Sequence, residues 1–349
     1  MKTEIVKIDS CNMEAAESTL SRAAQIIRDG GLVVFPTETV YGLGANGIDG
    51  TAAEKIYAAK GRPADNPLII HIAEPHDAEK YTYTCELYYK LAERFMPGPI
   101  TVIMKSRDTV PEATRAGLDT VAVRCPESPI AHRLIELAGV PIAAPSANLS
   151  GSPSPTTASH AADDMSGRVE MIIDGGECEF GLESTIVKIE DDMMLTLLRP
   201  GKITPEELSK LCEVRIADAV TQSLKEGDRA LSPGMKYRHY APKAPVLLLD
   251  GEVQSNIRYI ETDNDKKIAV ICYSDDKILY EKALSANIYT IGARSDETAQ
   301  AHTLFALLRD LDKCGYDKIY APLPKMRGIG LALYNRMIRA AAHRIIKTK

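Results

Sequence analysis

Short runs of apolar, largely β-branched residues alternate along this chain with stretches whose apolar positions recur at helical spacing. Residues 31–35, 68–72, 100–104, 120–124, 171–174 and 184–189 have the first pattern and predict strands. Residues 51–60 have the second, with Ala53, Ile56 and Tyr57 on one face, and predict a helix. Ser128 is placed to cap another helix through 137, which Gly139 would end, and 86–95 and 204–211 are two more. The mixture predicts a large α/β domain over residues 1–225. The periodicity then stops. Residues 226–245, EGDRALSPGMKYRHYAPKAP, hold three Pro and two Gly and read as a linker. From 246 the alternation restarts, with strands at 245–249, 267–273 and 318–321 and helices at 298–311 and 329–346. Residues 246–349 therefore predict a smaller, doubly wound, Rossmann-like αβ domain.

Composition narrows the function classes. The 349 residues are 45% hydrophobic and 26% charged, as in a globular protein with two cores. The net charge of −6 excludes a general basic footprint for nucleic acid, so any anion site must be a local gathering of Lys and Arg. The seven Cys are scattered, form no Cys-x-x-Cys pair and predict buried, reduced thiols. The first residues, MKTEIVKIDS, lack an apolar signal core, and no window reaches the ~18 apolar residues of a membrane span. A cytoplasmic protein without membrane contact is the expectation. Asn148-Leu149-Ser150 fits a glycosylation sequon, which carries no weight without a secretory signal.

Two segments carry chemistry that packing does not require. Lys60-Gly61-Arg62-Pro63-Ala64-Asp65-Asn66-Pro67 sets two cations at a helix end and then fixes the chain with proline. Ala144-Pro145-Ser146-Ala147-Asn148 sets a hydroxyl and an amide on the loop after an apolar strand. Such groups suit an anionic ligand such as a nucleotide. Each also has a plain reading: cations favoured by a helix C-terminus, and a capping or Asx turn. Arg124 and Arg199 end strands, and His71 lies within one. Lys60, Arg62, Arg124 and Arg199 form a phosphate clamp only if those ends converge, which the sequence leaves open. Gly42-Leu43-Gly44-Ala45-Asn46-Gly47 matches G-x-G-x-x-G, but six residues separate it from the preceding strand, unlike a dinucleotide fingerprint. No P-loop, G-x-S-x-G or H-E-x-x-H occurs. In the linker, Met235-Lys236-Tyr237-Arg238-His239-Tyr240 interleaves two aromatics with three potential cations, more than a spacer needs.

Pro36-Thr37-Glu38-Thr39-Val40-Tyr41-Gly42-Leu43-Gly44, Lys60-Gly61-Arg62-Pro63 with Asn66-Pro67-Leu68, Pro145-Ser146-Ala147-Asn148-Leu149-Ser150-Gly151 and Glu183-Ser184-Thr185 together resemble the YrdC-like domain of the threonylcarbamoyl-AMP synthase family. Ser232-Pro233-Gly234-Met235-Lys236-Tyr237-Arg238-His239-Tyr240-Ala241-Pro242 resembles the linker of its two-domain form. The resemblance implies an N-terminal twisted mixed-sheet domain and a nucleotidyltransferase. It would make L-threonylcarbamoyladenylate and pyrophosphate from L-threonine, bicarbonate or CO2, and ATP, for threonylcarbamoyladenosine modification of tRNA. Carried over by motif, Lys60, Arg62, Ser146 and Asn148 would be catalytic. Arg62, Asn66, Thr120, Ser146, Ser154, Arg199 and His239 would bind ATP, and Thr39, His71, Arg124, Ala144 and Ser184 would bind threonine. Mg²⁺ is expected on the triphosphate, with no protein metal site. The linker would act as a lid, with His239 toward ATP and Tyr237 and Arg238 shielding the carbamate. The implied partners are the small substrates and the downstream tRNA-modification proteins, with direct tRNA contact allowed but not required. The competing readings are an RNA-binding module and a related carbamoyl-adenylate enzyme.

Overall fold

The computed structural model describes residues 2–222, 240–265 and 267–348. Among them the chain forms an eleven-stranded mixed sheet and a separate five-stranded parallel sheet. Across the first sheet the strands lie in the order Glu4–Lys7, Met171–Asp174, Val33–Phe35, Gly42–Asn46, Ile142–Ala143, Ile69–His71, Thr120–Arg124, Ile100–Lys105, Thr185–Asp191, Met194–Arg199 and Glu213–Ile216. Apolar residues run through the central strands because helices cover them, and Ile69–His71 is buried throughout. The capping predicted for 128–139 is present: Ser128 accepts from the Ala131 amide, and Gly139 closes the helix Pro129–Ala138 in the left-handed conformation.

Gly42 and Gly44 lie in the strand Gly42–Asn46 within the sheet, consistent with the reading that this run is not a dinucleotide fingerprint. A side chain at Gly44 would strike Phe35 at 2.7 Å and Ile142 at 2.8 Å, so close strand packing is what requires glycine there. The helix predicted over 329–346 ends at Ala340. Ala342 and His343 turn the backbone into positive φ, and Ile345–Lys347 then pairs as an edge strand with Val246–Asp250. The helix predicted over 204–211 is the single turn Pro205–Leu208. Of the thiols, Cys125, Cys178, Cys212 and Cys272 are buried, whereas Cys11 and Cys314 are exposed.

The second sheet runs Asn287–Thr290, Ile268–Cys272, Lys318–Pro322, Val246–Asp250, Ile345–Lys347, all parallel. This αβ domain is Rossmann-like in its parallel strands and flanking helices. Its first and fourth strands are exchanged relative to the 3-2-1-4-5 order of dinucleotide-binding sheets. The predicted boundary at 225 and the linker residues 226–239 lie outside the described residues.

The two sheets share buried apolar contacts. Val40, Phe180 and Leu182 of the first domain pack in one cluster with Phe305, Leu333 and Met337 of the second, and Leu331 packs into the first domain's core. The helices Glu297–Cys314 and Gly328–Ala340 supply the contact. Arg309 donates from Nε and Nη2 to the Pro153 carbonyl at 3.0 and 2.7 Å and pairs with Asp164 at 2.6 Å. Asn335 and Arg339 donate to the carbonyls of Val220 and Ala219, both at 2.7 Å. A shared core predicts joint unfolding. Phe180→Ala removes a side chain that is 1% exposed and should cost ~3–5 kcal/mol. It should lower one common transition when the sheets are followed by hydrogen exchange during urea unfolding. Separate melting of the second domain, with the first unaffected, would count against a shared core.

Candidate functional site

The elements that bear the predicted cations end beside one another. Ile69–His71 and Thr120–Arg124 are parallel neighbours with His71 in register with Arg124. Ile142–Ala143 runs antiparallel beside Ile69–His71 and delivers the loop 144–148. Met194–Arg199 ends next to the start of Thr185–Asp191, which places Arg199 against Ser184. Arg62 arrives by another route. Gly61 caps the helix Gly50–Lys60 at φ 59°, a conformation that suits glycine, and the chain turns there into Arg62, which reaches the carbonyls of Asn66 and Pro67.

A cleft results, lined by Arg62, His71, Arg124, Ala144, Ser146, Asn148, Ser184 and Arg199 among the predicted residues. Thr37, Val40, Gly42, Glu183 and Tyr240 also line it, and none of these had been given a role. Glu38 and Glu183 lie inside motifs that the sequence marked, but an acid's buried partner is invisible without the fold. Four predicted residues stand just off the lining. Lys60 donates to the carbonyls of Ser146 at 2.5 Å and Asn148 at 2.6 Å, so its amine holds that loop. Asn66 sits beside Arg62, whose Nη2 donates to the carbonyls of Asn66 and Pro67 at 3.0 Å each. Thr39 is buried with its hydroxyl 2.8 Å from that of Thr37. Ser154 donates to Glu183 at 2.5 Å. Thr120 shares a strand face with Arg124 but begins the strand, about 13 Å away along it. His239 lies outside the described residues.

The electrostatics of the cleft follow from burial. Desolvation pulls Arg62 and Arg199 each down to about 10 and drives Lys60 well below its ordinary value, with neighbouring Arg62 adding to the push on Lys60. His71 is pushed down to about 3, by burial first and then by Arg124. Its Nδ1 lies 3.2 Å from the Ile142 carbonyl, which can only accept, so Nδ1 carries the proton and Nε2 is left as acceptor. Burial raises Glu183, but Arg336 and Arg199 outweigh it and hold the carboxyl below its usual range. Arg124 pairs with Glu38 at 2.6 Å.

Among the described residues, five buried side-chain polar atoms lack a protein partner: Glu38 Oε2, Arg62 Nε, Asn66 Nδ2, Asn66 Oδ1 and Arg124 Nε. All belong to the cleft or its immediate border. An orphaned buried polar group costs ~1–3 kcal/mol, so a concentration of them marks a place where a polar ligand supplies the missing bonds. Elsewhere, Glu74, His132 and Glu136 bring ligand-type atoms within 4.8 Å of one another at the surface, and none of the three lines the cleft.

The His71 shift sets a pH dependence. The folded value near 3 is below the ordinary 6.5, so the unfolded chain binds a proton that the native chain refuses. This contribution to stability is complete above pH ~6.5 and falls by up to ~1.4 kcal/mol per unit as pH drops toward 3. Urea unfolding of the wild type should therefore weaken more steeply between pH 6.5 and 5 than unfolding of His71→Asn. Equal slopes would mean that His71 ionises freely in the native state.

The comparisons with known proteins bear on the family and the fold. The family model Sua5_yciO_yrdC, described as telomere recombination, matches residues 25–201, and the threonylcarbamoyl-AMP synthase C-terminal domain matches 203–342. The threonylcarbamoyl-AMP synthase of Pyrococcus abyssi is 46% identical over 336 residues, covering 93% of this chain and 94% of the relative. That of Bacillus subtilis is 39% identical, covering 99% of this chain and all of the relative. The crystal structure of P. abyssi Sua5 complexed with L-threonine superposes with a TM-score of 0.87 at 42% identity, over the full length of both chains. The chain thus belongs to the threonylcarbamoyl-AMP synthase family, in the form that carries both the YrdC-type domain and the C-terminal domain.

Proposed function

We propose that the cleft at the strand ends is where this chain carries out the family's nucleotidyl transfer, with the residues in the following roles. L-threonine, CO2 and ATP give L-threonylcarbamoyladenylate and pyrophosphate; where bicarbonate is the carbon source, it loses water to supply the CO2. The threonine nitrogen attacks the CO2 carbon and loses a proton to form a carbamate. A carbamate oxygen then attacks the α-phosphorus, the bond from that phosphorus to the bridging oxygen breaks, and pyrophosphate leaves. Such a reaction needs positioning and positive charge more than acid–base machinery.

The gathering of unpartnered buried polar atoms is the observation that carries this assignment. Arg62 Nε and both polar atoms of the Asn66 side chain are free to receive the nucleotide, and Arg199, Ser146, Asn148 and Ser154 stand around the same cleft. Arg124 Nε and Glu38 Oε2 are a free donor and a free acceptor on one ion pair, which matches the carboxylate and amine of an amino acid. The neutral His71, with Thr39, Ala144 and Ser184, would receive the threonine side chain. Lys60 acts through the 146–148 loop that it holds, and Thr120 would meet only the far end of the nucleotide. Glu38 and Glu183 at the cleft are ion-paired, Glu38 to Arg124 and Glu183 to Arg336. Mg²⁺ therefore fits as a passenger on phosphate oxygens and water, where it would neutralise charge on the departing pyrophosphate. The adenylate would pass to tRNA-modification proteins. No helix among the described residues is long and apolar enough to cross a membrane, and a cytoplasmic site of action suits the substrates.

The test is pyrophosphate release by the full chain with ATP, Mg²⁺, bicarbonate and single amino acids, without RNA. Threonine-dependent release supports the assignment; no release together with tight tRNA binding would make the chain an RNA-binding module. Arg62→Ala should lower the rate ~10²-fold or more, with an unchanged circular-dichroism spectrum, because it removes a charge aimed at the transferring group. Near wild-type turnover would remove Arg62 from the mechanism. Threonine should exceed serine by ~10–200-fold in kcat/KM and valine by more, since a missing hydroxyl leaves the pocket unpaired. Equal kcat/KM for threonine and valine would contradict a pocket built on His71 and Thr39.

A further inference from the structure

We propose that Arg336, on a helix of the second domain, is a positioning residue for this reaction: it crosses the domain interface and clamps the two backbone segments that carry Ser184 and Arg199. The inference rests on the assignment of the cleft given above.

Arg336 is 0% exposed, the largest wholly buried side chain among the described residues. Its Nε donates to Glu183 Oε2 at 2.9 Å and its Nη2 to the Glu183 carbonyl at 3.3 Å. Its Nη1 donates to the Pro200 carbonyl at 2.8 Å and to Asn335 Oδ1 at 3.0 Å. One guanidinium thus fastens residue 183, which precedes Ser184, and residue 200, which follows Arg199. Those two neighbours line the cleft and are themselves joined, Arg199 donating to the Ser184 carbonyl at 3.0 Å and to its hydroxyl at 3.1 Å. The other oxygen of Glu183 receives the Ser154 hydroxyl at 2.5 Å. The Tyr240 ring, also in the cleft wall, lies 5.7 Å from the guanidinium.

Attachment of the second domain does not depend on this contact. Arg309, Asn335 and Arg339 make separate hydrogen bonds across the interface, and apolar residues fill the space between. A buried ion pair is a poor means of holding domains together, because desolvation consumes most of the attraction and an apolar pair of similar volume does as well. A rigid fork that fixes the geometry of two segments at once is something only arginine supplies. The groups facing Glu183 are Arg336 from the second domain, Arg199 and Lys60 from the first, the Ser154 hydroxyl and Tyr240. Without Arg336 the balance at Glu183 shifts toward burial, and the carboxyl takes up a proton at higher pH than in the wild type.

The experiment uses the full-length chain as wild type, R336M, R336K and the double variant E183Q/R336M. It follows threonine-dependent pyrophosphate release from pH 5.5 to 9, with thermal unfolding in parallel. R336M should lose roughly tenfold to a hundredfold in kcat at neutral pH, the scale of a small misplacement of reacting groups. Its residual rate should rise with pH across a range where the wild type is flat. R336K should recover part of the rate, since it can pair with Glu183 but cannot also hold Pro200. The double variant no longer buries an unpaired charge, so it should regain most of the lost midpoint while its turnover stays low. Turnover of the double variant within about twofold of wild type, with a wild-type pH profile, would overturn the proposal and leave Arg336 a structural bolt. Lys313→Ala, which breaks an exposed interface pair with Asp163, should change neither readout; a comparable loss there would trace the effect to general loosening and also overturn it. If the wild type releases no pyrophosphate with threonine, the assignment of the cleft fails and this inference with it.

Discussion

Positive charge held out of water is the constraint around which this molecule is arranged. Lys60, Arg62, Arg124 and Arg199 are all buried. Each has lost solvation, and Arg62 lowers Lys60 further. Carboxylates placed beside all four would remove the cost and the use together, because an internally neutralised cleft does not attract a triphosphate. The chain instead meets most of these donors with backbone carbonyls: Ser146 and Asn148 for Lys60, Asn66 and Pro67 for Arg62, Ser184 for Arg199. A carbonyl dipole holds a cation without cancelling its charge. The field survives, and a few donors are left over for the ligand.

Carbonyls are available in that number only where strands end and loops begin. This explains why the site sits at strand ends of a mixed sheet rather than on a face. The short strand Ile142–Ala143 runs antiparallel beside Ile69–His71, so its outgoing loop returns over the helix end that carries Lys60 and Arg62. The overall charge of −6 is compatible with such a site because the field in the cleft is set by groups within a few ångströms.

Much of this was legible in the sequence. The strand bearing His71, the strand bearing Arg124, and the helix ending at Lys60 could be drawn from apolar spacing and caps, and the cations at their ends stood out as more than packing. Register could not be read: that His71 lies opposite Arg124 depends on which strands are neighbours, and the order of the sheet is far from sequential. The two acids that temper the field were illegible for a related reason. Glu38 meets Arg124 across 86 residues and Glu183 meets Arg336 across 153, and nothing local in either segment announces a partner. The overlong last helix had another cause. Apolar spacing continues past residue 340, but Ala342 and His343 take positive φ and the chain leaves the helix for a strand.

Tyr240 joins these threads. It is a bulky residue in the left-handed region, at φ 62°, a conformation that costs roughly 1–3 kcal/mol and persists only where its surroundings over-determine it. The second domain supplies part of those surroundings: Phe305, with ring centroids 5.1 Å apart, and the Arg336 guanidinium. The same ring lines the cleft beside Arg62 and Glu183. Arg336 touches both Tyr240 and Glu183, and each of these is a side chain of the cleft wall. A domain that served only to tether a linker would need neither a wholly buried guanidinium nor a strained tyrosine at that point. The first domain supplies the cations, and the second fixes the wall against which they act.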